Sequence, residues 1–217
     1  MPGTWPLLSI NLGKAVPFRD GERSAIGKSA ADRPVTVGPL GLEGDEQADL
    51  TVHGGPEKAI HHYPHDHYPH WMAHFGGHDL LGAPGAFGEN VSTEGLLEDA
   101  VCIGDRFRFG TALVEVSQGR QPCWKIDHRF GRKGVLNEVV RTGRSGWYYR
   151  VIESGIVAPG DTLALVDRPR PEWTVARAFT VLIAGGHKAD PGALDALADD
   201  PLLAIHWRWR AATLRAQ

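Results

Sequence analysis

The sequence predicts a mainly β protein with α additions, a β-rich domain over residues 1–167 followed by a small three-helix module over residues 168–217. Three observations predict this class. Glycine (27 of 217 residues) and proline (15) recur through roughly the first 170 residues and cut them into short segments. The stretch Asp105–Ser117 has the two-residue alternation of a hairpin. Beyond Asp167 the pattern changes to helical spacing. A chain of this length holds one large β-rich domain with an appendage.

In the hairpin, Phe107 and Phe109 alternate with Arg106 and Arg108. Gly110-Thr111 makes a two-residue turn, and Ala112, Val114 and Val116 alternate on the return. Trp147–Ile152 and Thr162–Val166 read as a second strand pair, joined through Gly155 and Pro159-Gly160-Asp161. Pro64 opens a helix through Trp71 and Phe75 that Gly76-Gly77 stops, with Pro69 expected to kink it. Gly134–Val140 reads as another helix, ended at Gly143. Arg168-Pro-Arg-Pro171 reads as a linker. Three helical segments follow: Glu172–Ile183, one opened by Asp190-Pro191, and one opened by Asp200-Pro201. So small a module should dock on the β-rich domain or on a partner.

Composition excludes several classes. No apolar run approaches the ~18 residues of a membrane span, and the beginning lacks a signal-peptide pattern. A net charge of −3 gives no pull toward nucleic acid or anionic membrane. Two cysteines without paired spacing argue against a disulfide framework and for a reducing, cytoplasmic setting.

Cys123 carries the sharpest chemical signal. It follows a strand-like alternation, with Arg120 before it and Lys125 after it. Nearby cations favour the thiolate, the form that attacks electrophiles and binds soft metals. The alternative is a small buried hydrophobe, the usual fate of a free cysteine. Two glycine-rich loops, 41–59 and 85–90, can approach a ligand closely or simply be solvated.

Eight of the eleven histidines fall between His53 and His78, which raises a zinc site. The metalloprotease pattern is absent, however, and Pro64 and Pro69 break the register of His61, His65 and His70. Most of these rings are expected on the surface of a short helix, with His53 and His62 the better site candidates. No serine elbow and no dinucleotide fingerprint are present. A cysteine hydrolase pairing Cys123 with a distant histidine stays open.

Five motifs taken in order resemble the MOSC family, the domain named for the C-terminus of molybdenum cofactor sulfurase. They are Gly41 through Gly55, Lys58-Ala-Ile-His-His-Tyr-Pro64, Phe87-Gly-Glu-Asn90, Ile103-Gly-Asp105 and Arg120-Gln-Pro-Cys123. The likeness is greatest to the stand-alone bacterial branch called YiiM, associated with resistance to hydroxylaminopurine. It spans most of residues 5–167, and the tail is similar to that branch's three-helix extension. Gly119 departs from the pattern, which leads one to expect proline there.

The resemblance implies a MOSC-type β-barrel holding a molybdenum–molybdopterin cofactor, with Cys123 as the thiolate on the metal. It also implies reduction of N-hydroxylated compounds, with nucleobase analogues such as 6-hydroxylaminopurine and amidoximes as substrates. Lys28, Lys58 and Arg120 are candidates for the cofactor's phosphate, and His53, His62 and Asn90 for bonding the pterin or delivering protons. No flavin, haem or iron–sulfur signature is present, so a separate, flavin-containing reductase is the expected electron donor. A homodimer through the helical tail is a further expectation. Two other readings keep Cys123: a sulfur carrier or transferase working through a persulfide, and a non-catalytic molybdopterin-binding module.

Overall fold

The computed structural model describes residues 3–19, 21–48 and 54–217. Short strands dominate the first 167 residues. They are β1 (Thr4–Pro6), β2 (Ser9–Gly13), β3 (Val16–Arg19), β4 (Glu22–Ser24), β5 (Lys28–Ala30), β6 (Val35–Gly38) and β7 (Gly41–Leu42). After them come β8 (Ile60–His62), β9 (Val91–Ser92), β10 (Arg106–Phe109), β11 (Ala112–Gly119), β12 (Trp147–Glu153), β13 (Gly155–Val157) and β14 (Thr162–Asp167). Nine of them form one sheet in the order β1-β14-β10-β11-β12-β8-β9-β2-β5, antiparallel except for β8 beside β9. A three-stranded sheet, β13-β6-β7, joins this curled half-barrel, which is the form that the expected barrel takes.

The hairpin at Gly110-Thr111 forms as its alternation predicts, with Phe107 opposite Val114 and Phe109 opposite Ala112. All eight residues of β11 are buried. Its one charged residue, Glu115, is accommodated by Arg106 at 2.8 Å and Arg150 at 3.0 Å. The second expected pair does not form. β12 lies between β11 and β8, whereas β14 lies between β10 and β1. The intervening Gly155–Val157 leaves the large sheet to pair with β6, so the two strands reach different neighbours.

Pro64 precedes a 3-10 turn, His65–His67, that runs into helix α1 (Tyr68–Phe75). Pro69 lies in the first turn of α1, where its missing N–H has no intrahelical partner to lose, and so it causes no kink. The expectation of surface histidines fails at His61 and His67, which are buried; His62, set apart as a site candidate, is buried too. α2 (Lys125–Arg129), which the sequence reading missed, starts two residues after Cys123, and α3 (Val135–Thr142) follows between Gly134 and Gly143.

The tail is helical as expected: α4 (Val175–Leu182), α5 (Gly192–Asp199) and α6 (Ile205–Arg215). α6 begins at Ile205 and not at Pro201, because the Asp200 side chain holds a tight turn through Leu202 N–H at 2.9 Å. The module docks on the half-barrel through backbone bonds, Val175 N–H to Val101 O (2.8 Å) and Ala204 N–H to Ser117 O (2.9 Å). The Arg168–Pro171 stretch is an anchor rather than a free linker. Arg168 forks onto Asp105, which is fully buried, with Nη2 at 2.6 Å and Nε at 2.9 Å. Burial pushes the Asp105 carboxyl up and Arg168 pulls it back.

Removing one partner of such a pair leaves the other charge dry and uncompensated. Arg168→Ala is therefore expected to cost about 2–3 kcal/mol in urea unfolding. Adding Asp105→Asn should recover part of that loss, and an additive double variant would contradict the pairing.

Candidate active site

One cavity gathers most of the predicted residues. It encloses about 100 Å³, and its lining includes Lys28, Lys58, His61, Asn90, Arg120 and Cys123. A second cleft of about 250 Å³ shares Lys58, Cys123 and Tyr148 with it and continues along Gln118, Trp207 and Arg210. Cys123 stands where the two meet, half-buried. Together the clefts are of the size of small-molecule sites, roughly 300–1,000 Å³.

The buried strand β11 delivers the thiol. Its last residue, Gly119, is followed by Arg120, whose N–H donates to Gly146 O at 3.0 Å. Gly146 N–H in turn donates to the buried Glu98 at 2.7 Å. Arg120 is buried, its guanidinium bonds Tyr148, and its Nη1 has no hydrogen-bond partner among the described residues. Burial pushes the Tyr148 phenol up, so it stays a proton donor at neutral pH. Lys125 lines the same cavity and pairs with Glu22 at 3.0 Å. The other thiol, Cys102, is buried away from the cavity and pushed up to about 11 by desolvation. It is therefore protonated and inert.

Two predicted ligand residues line the cavity with their polar atoms already engaged. Lys28 Nζ lies 2.6 Å from Asp45 Oδ2, with only 7% and 6% of the two side chains exposed. Burial pulls the ammonium pKa down while Asp45 holds it up. Asn90 accepts from His61 N–H at 3.0 Å and donates to Asn11 O at 3.1 Å and Asp45 at 2.8 Å. These two residues build the wall. His53 lies outside the described residues.

His62 and His61 exchange their expected places. On strand β8 consecutive side chains point to opposite faces. His62 enters the core, bonded to Tyr149 Oη and Thr93 Oγ1, each at 3.0 Å, and lies outside the lining of both clefts. His61 enters the cavity beside Tyr148, ring centroids 5.0 Å apart. Its Nε2 has no partner among the described residues. Burial, reinforced by Arg120, pulls its pKa well below 6.5, so the ring is neutral at neutral pH. The adjacent pair His61-His62 was visible, but not which of the two faces inward.

The implied cofactor can be tested against these donors. A thiolate is a suitable soft ligand for molybdenum, and the phosphate of a pterin needs cations and donors in a partly dry site. Cys123 supplies the first; Lys58 and the unsatisfied Arg120 Nη1 supply the second. The residues fit the group.

Gly119 has its own explanation. A Cβ there would lie 2.9 Å from Trp207 Cη2 and 3.3 Å from Val175 Cγ1. Glycine lets α4 and α6 close over the strand that carries the site. Gly119→Ala should cost about 1–3 kcal/mol by overpacking, and unchanged thermal stability would contradict that contact. A second prediction concerns acid. Desolvation holds His62 at about 3 in the fold, whereas the unfolded chain takes up its proton near 6.5. The unfolded state then binds more protons between those values, so this stability is present above 6.5 and lost as pH falls toward 3. His62→Gln should reduce the stability slope by about 1.4 kcal/mol per pH unit in that window. An unaltered slope would rule out the assignment.

The MOSC domain profile matches residues 49–164. The chain is 44% identical to protein YiiM of Escherichia coli over 161 residues, 74% of this chain and 72% of that one. It is 43% identical over 162 residues to a protein of Gibberella moniliformis named "Reductase", covering 74% of this chain but only 29% of the fungal protein. The crystal structure of YiiM from Geobacillus stearothermophilus is similar at TM-score 0.80 and 34% identity, covering 96% of this chain and 97% of that one. That of YiiM from Escherichia coli is similar at TM-score 0.81 and 32% identity, covering 99% and 94%. With the profile spanning more than half its length and these relatives beside it, the chain belongs to the MOSC-domain family.

Proposed function

We propose that the chain is a molybdenum-cofactor-dependent reductase of N-hydroxylated compounds, N-hydroxylated bases and amidoximes among them, with Cys123 as the protein ligand to the metal. The observation that carries this reading is the position of Cys123 at the junction of two clefts, next to a buried arginine with a nitrogen unpartnered among the described residues. Membership of the MOSC family and a relative named as a reductase support it.

When bound, the cofactor supplies a two-electron metal centre able to take the oxygen of an N–OH group. The N–O bond breaks, two electrons and two protons are consumed, and amine and water leave. The electrons come from a separate, flavin-containing reductase. The remaining tasks belong to side chains. Cys123 presents sulfur at the cavity wall. Arg120 and Lys58 attract and fix anionic groups. Tyr148 keeps its proton and can donate a hydrogen bond, while the neutral His61 offers an Nε2, unpartnered among the described residues, that can accept one. The 250 Å³ cleft beside Gln118 and Trp207 gives a planar substrate room to approach the sulfur.

The test is turnover of an amidoxime or N-hydroxylated purine by cofactor-loaded protein with an artificial electron donor. Cys123→Ala should lose at least about 100-fold in kcat, in line with the cost of altering metal-site residues, and keep its melting temperature. Full turnover in a folded Cys123→Ala variant would overturn the ligand role. A persulfide on Cys123 in molybdenum-free protein would favour sulfur handling instead.

A further inference from the structure

The histidine-rich segment is not exhausted by the candidate active site. Two of its members, His70 and His74, stand one turn apart on α1 and face Glu138 on α3. His70 Nε2 lies 3.0 Å and His74 Nδ1 3.9 Å from Glu138 Oε1. One donor atom from each of the three residues lies within 4.8 Å of the other two. The imidazoles are near-parallel, their planes 18° apart and their centroids 6.0 Å apart.

We propose that His70, His74 and Glu138 form a zinc site that staples α1 to α3, with the fourth position open to water. Zinc bonds imidazole nitrogen and carboxylate oxygen at about 2.0–2.2 Å, so tetrahedral ligands sit roughly 3.3–3.6 Å apart. The two short separations seen here bracket that value, and small rotations of χ2 bring the three atoms onto one ion. Two nitrogens and one oxygen suit zinc and disfavour magnesium or calcium, which take all-oxygen shells. Glu138 is nearly buried, with its side chain 9% exposed, while His74 is 40% exposed and leaves a route for the ion and a water.

Arg141 is the competitor. It forks onto Glu138, with Nη2 at 2.7 Å from Oε1 and Nε at 2.7 Å from Oε2. Its side chain is 69% exposed and can release Oε1 while retaining Oε2. The ion would thus take Oε1 in place of the guanidinium. The consequence is mechanical. Asp127 of α2 receives Gly134 N–H at 3.0 Å and Leu136 N–H at 2.8 Å, so α3 is tied to the helix that follows Cys123. An ion joining α1 to α3 braces that loop from outside the cavity.

The experiment is zinc titration of the full chain by calorimetry, with thermal unfolding and cobalt substitution alongside. One equivalent of zinc should bind and raise the melting temperature. His70→Ala and His74→Ala should each weaken binding at least about 10-fold and abolish the thermal shift, and Arg141→Ala should bind at least as tightly as the parent. Cobalt should give visible ligand-field bands without a sulfur charge-transfer band, and Cys123→Ala should leave them intact. No binding at micromolar zinc, or binding insensitive to both histidine substitutions, overturns the site. So does a cobalt spectrum that disappears with Cys123.

Discussion

The buried contact between Lys28 and Asp45 is the constraint on which the cavity depends. Two charges out of water are costly, and the attraction between them offsets that cost only when their remaining hydrogen-bonding capacity is also filled. For the carboxylate it is. Asp45 accepts from Gly13 N–H at 2.7 Å on β2 and from Asn90 at 2.8 Å beside β9, while Lys28 comes from β5. Asn90 also bonds the backbone of β8 at His61 and of β2 at Asn11. One carboxylate and one amide thus lock one edge of the half-barrel, and that locked edge is the wall facing Cys123.

The opposite wall is made by a different device. β11 is buried along its whole length, so its position is fixed by packing on both faces. The chain leaves it at Gly119, under Trp207, and turns through Arg120 to Cys123. The helical module is therefore part of the site's construction. Trp207 and Arg210 of α6 line the second cleft, and the Arg168–Asp105 pair holds the start of the module to the half-barrel. The site combines a half-buried sulfur with a few polar groups that have atoms unpartnered among the described residues, at Arg120, His61 and Gln118. Buried polar atoms without partners are expensive, and three of the six such atoms among the described residues belong to side chains that line the two clefts.

Much of this was legible in the chain. The hairpin at Gly110-Thr111 could be read because alternation and turn chemistry are local properties. The same holds for α3, framed by Gly134 and Gly143. Cys123 was legible as a thiol at a strand exit between cations. Strand pairing beyond the nearest neighbour was not: β12 and β14 look like partners, yet each pairs with strands far away in sequence. The choice of His62 over His61 shows the sharpness of strand periodicity, since one position of register exchanges cavity for core. Lys28 and Asn90 line the cavity, but their engagement with Asp45 is a matter of three-dimensional partners that the sequence does not display. The linker reading of Arg168 failed for the same reason, because Asp105 lies 63 positions away.

The proposed enzyme depends on a bond between the Cys123 sulfur and the metal. X-ray absorption at the molybdenum edge of cofactor-loaded protein reads that bond. One more sulfur neighbour is expected in the parent than in Cys123→Ser at equal molybdenum content. Identical sulfur shells in the two proteins would contradict it.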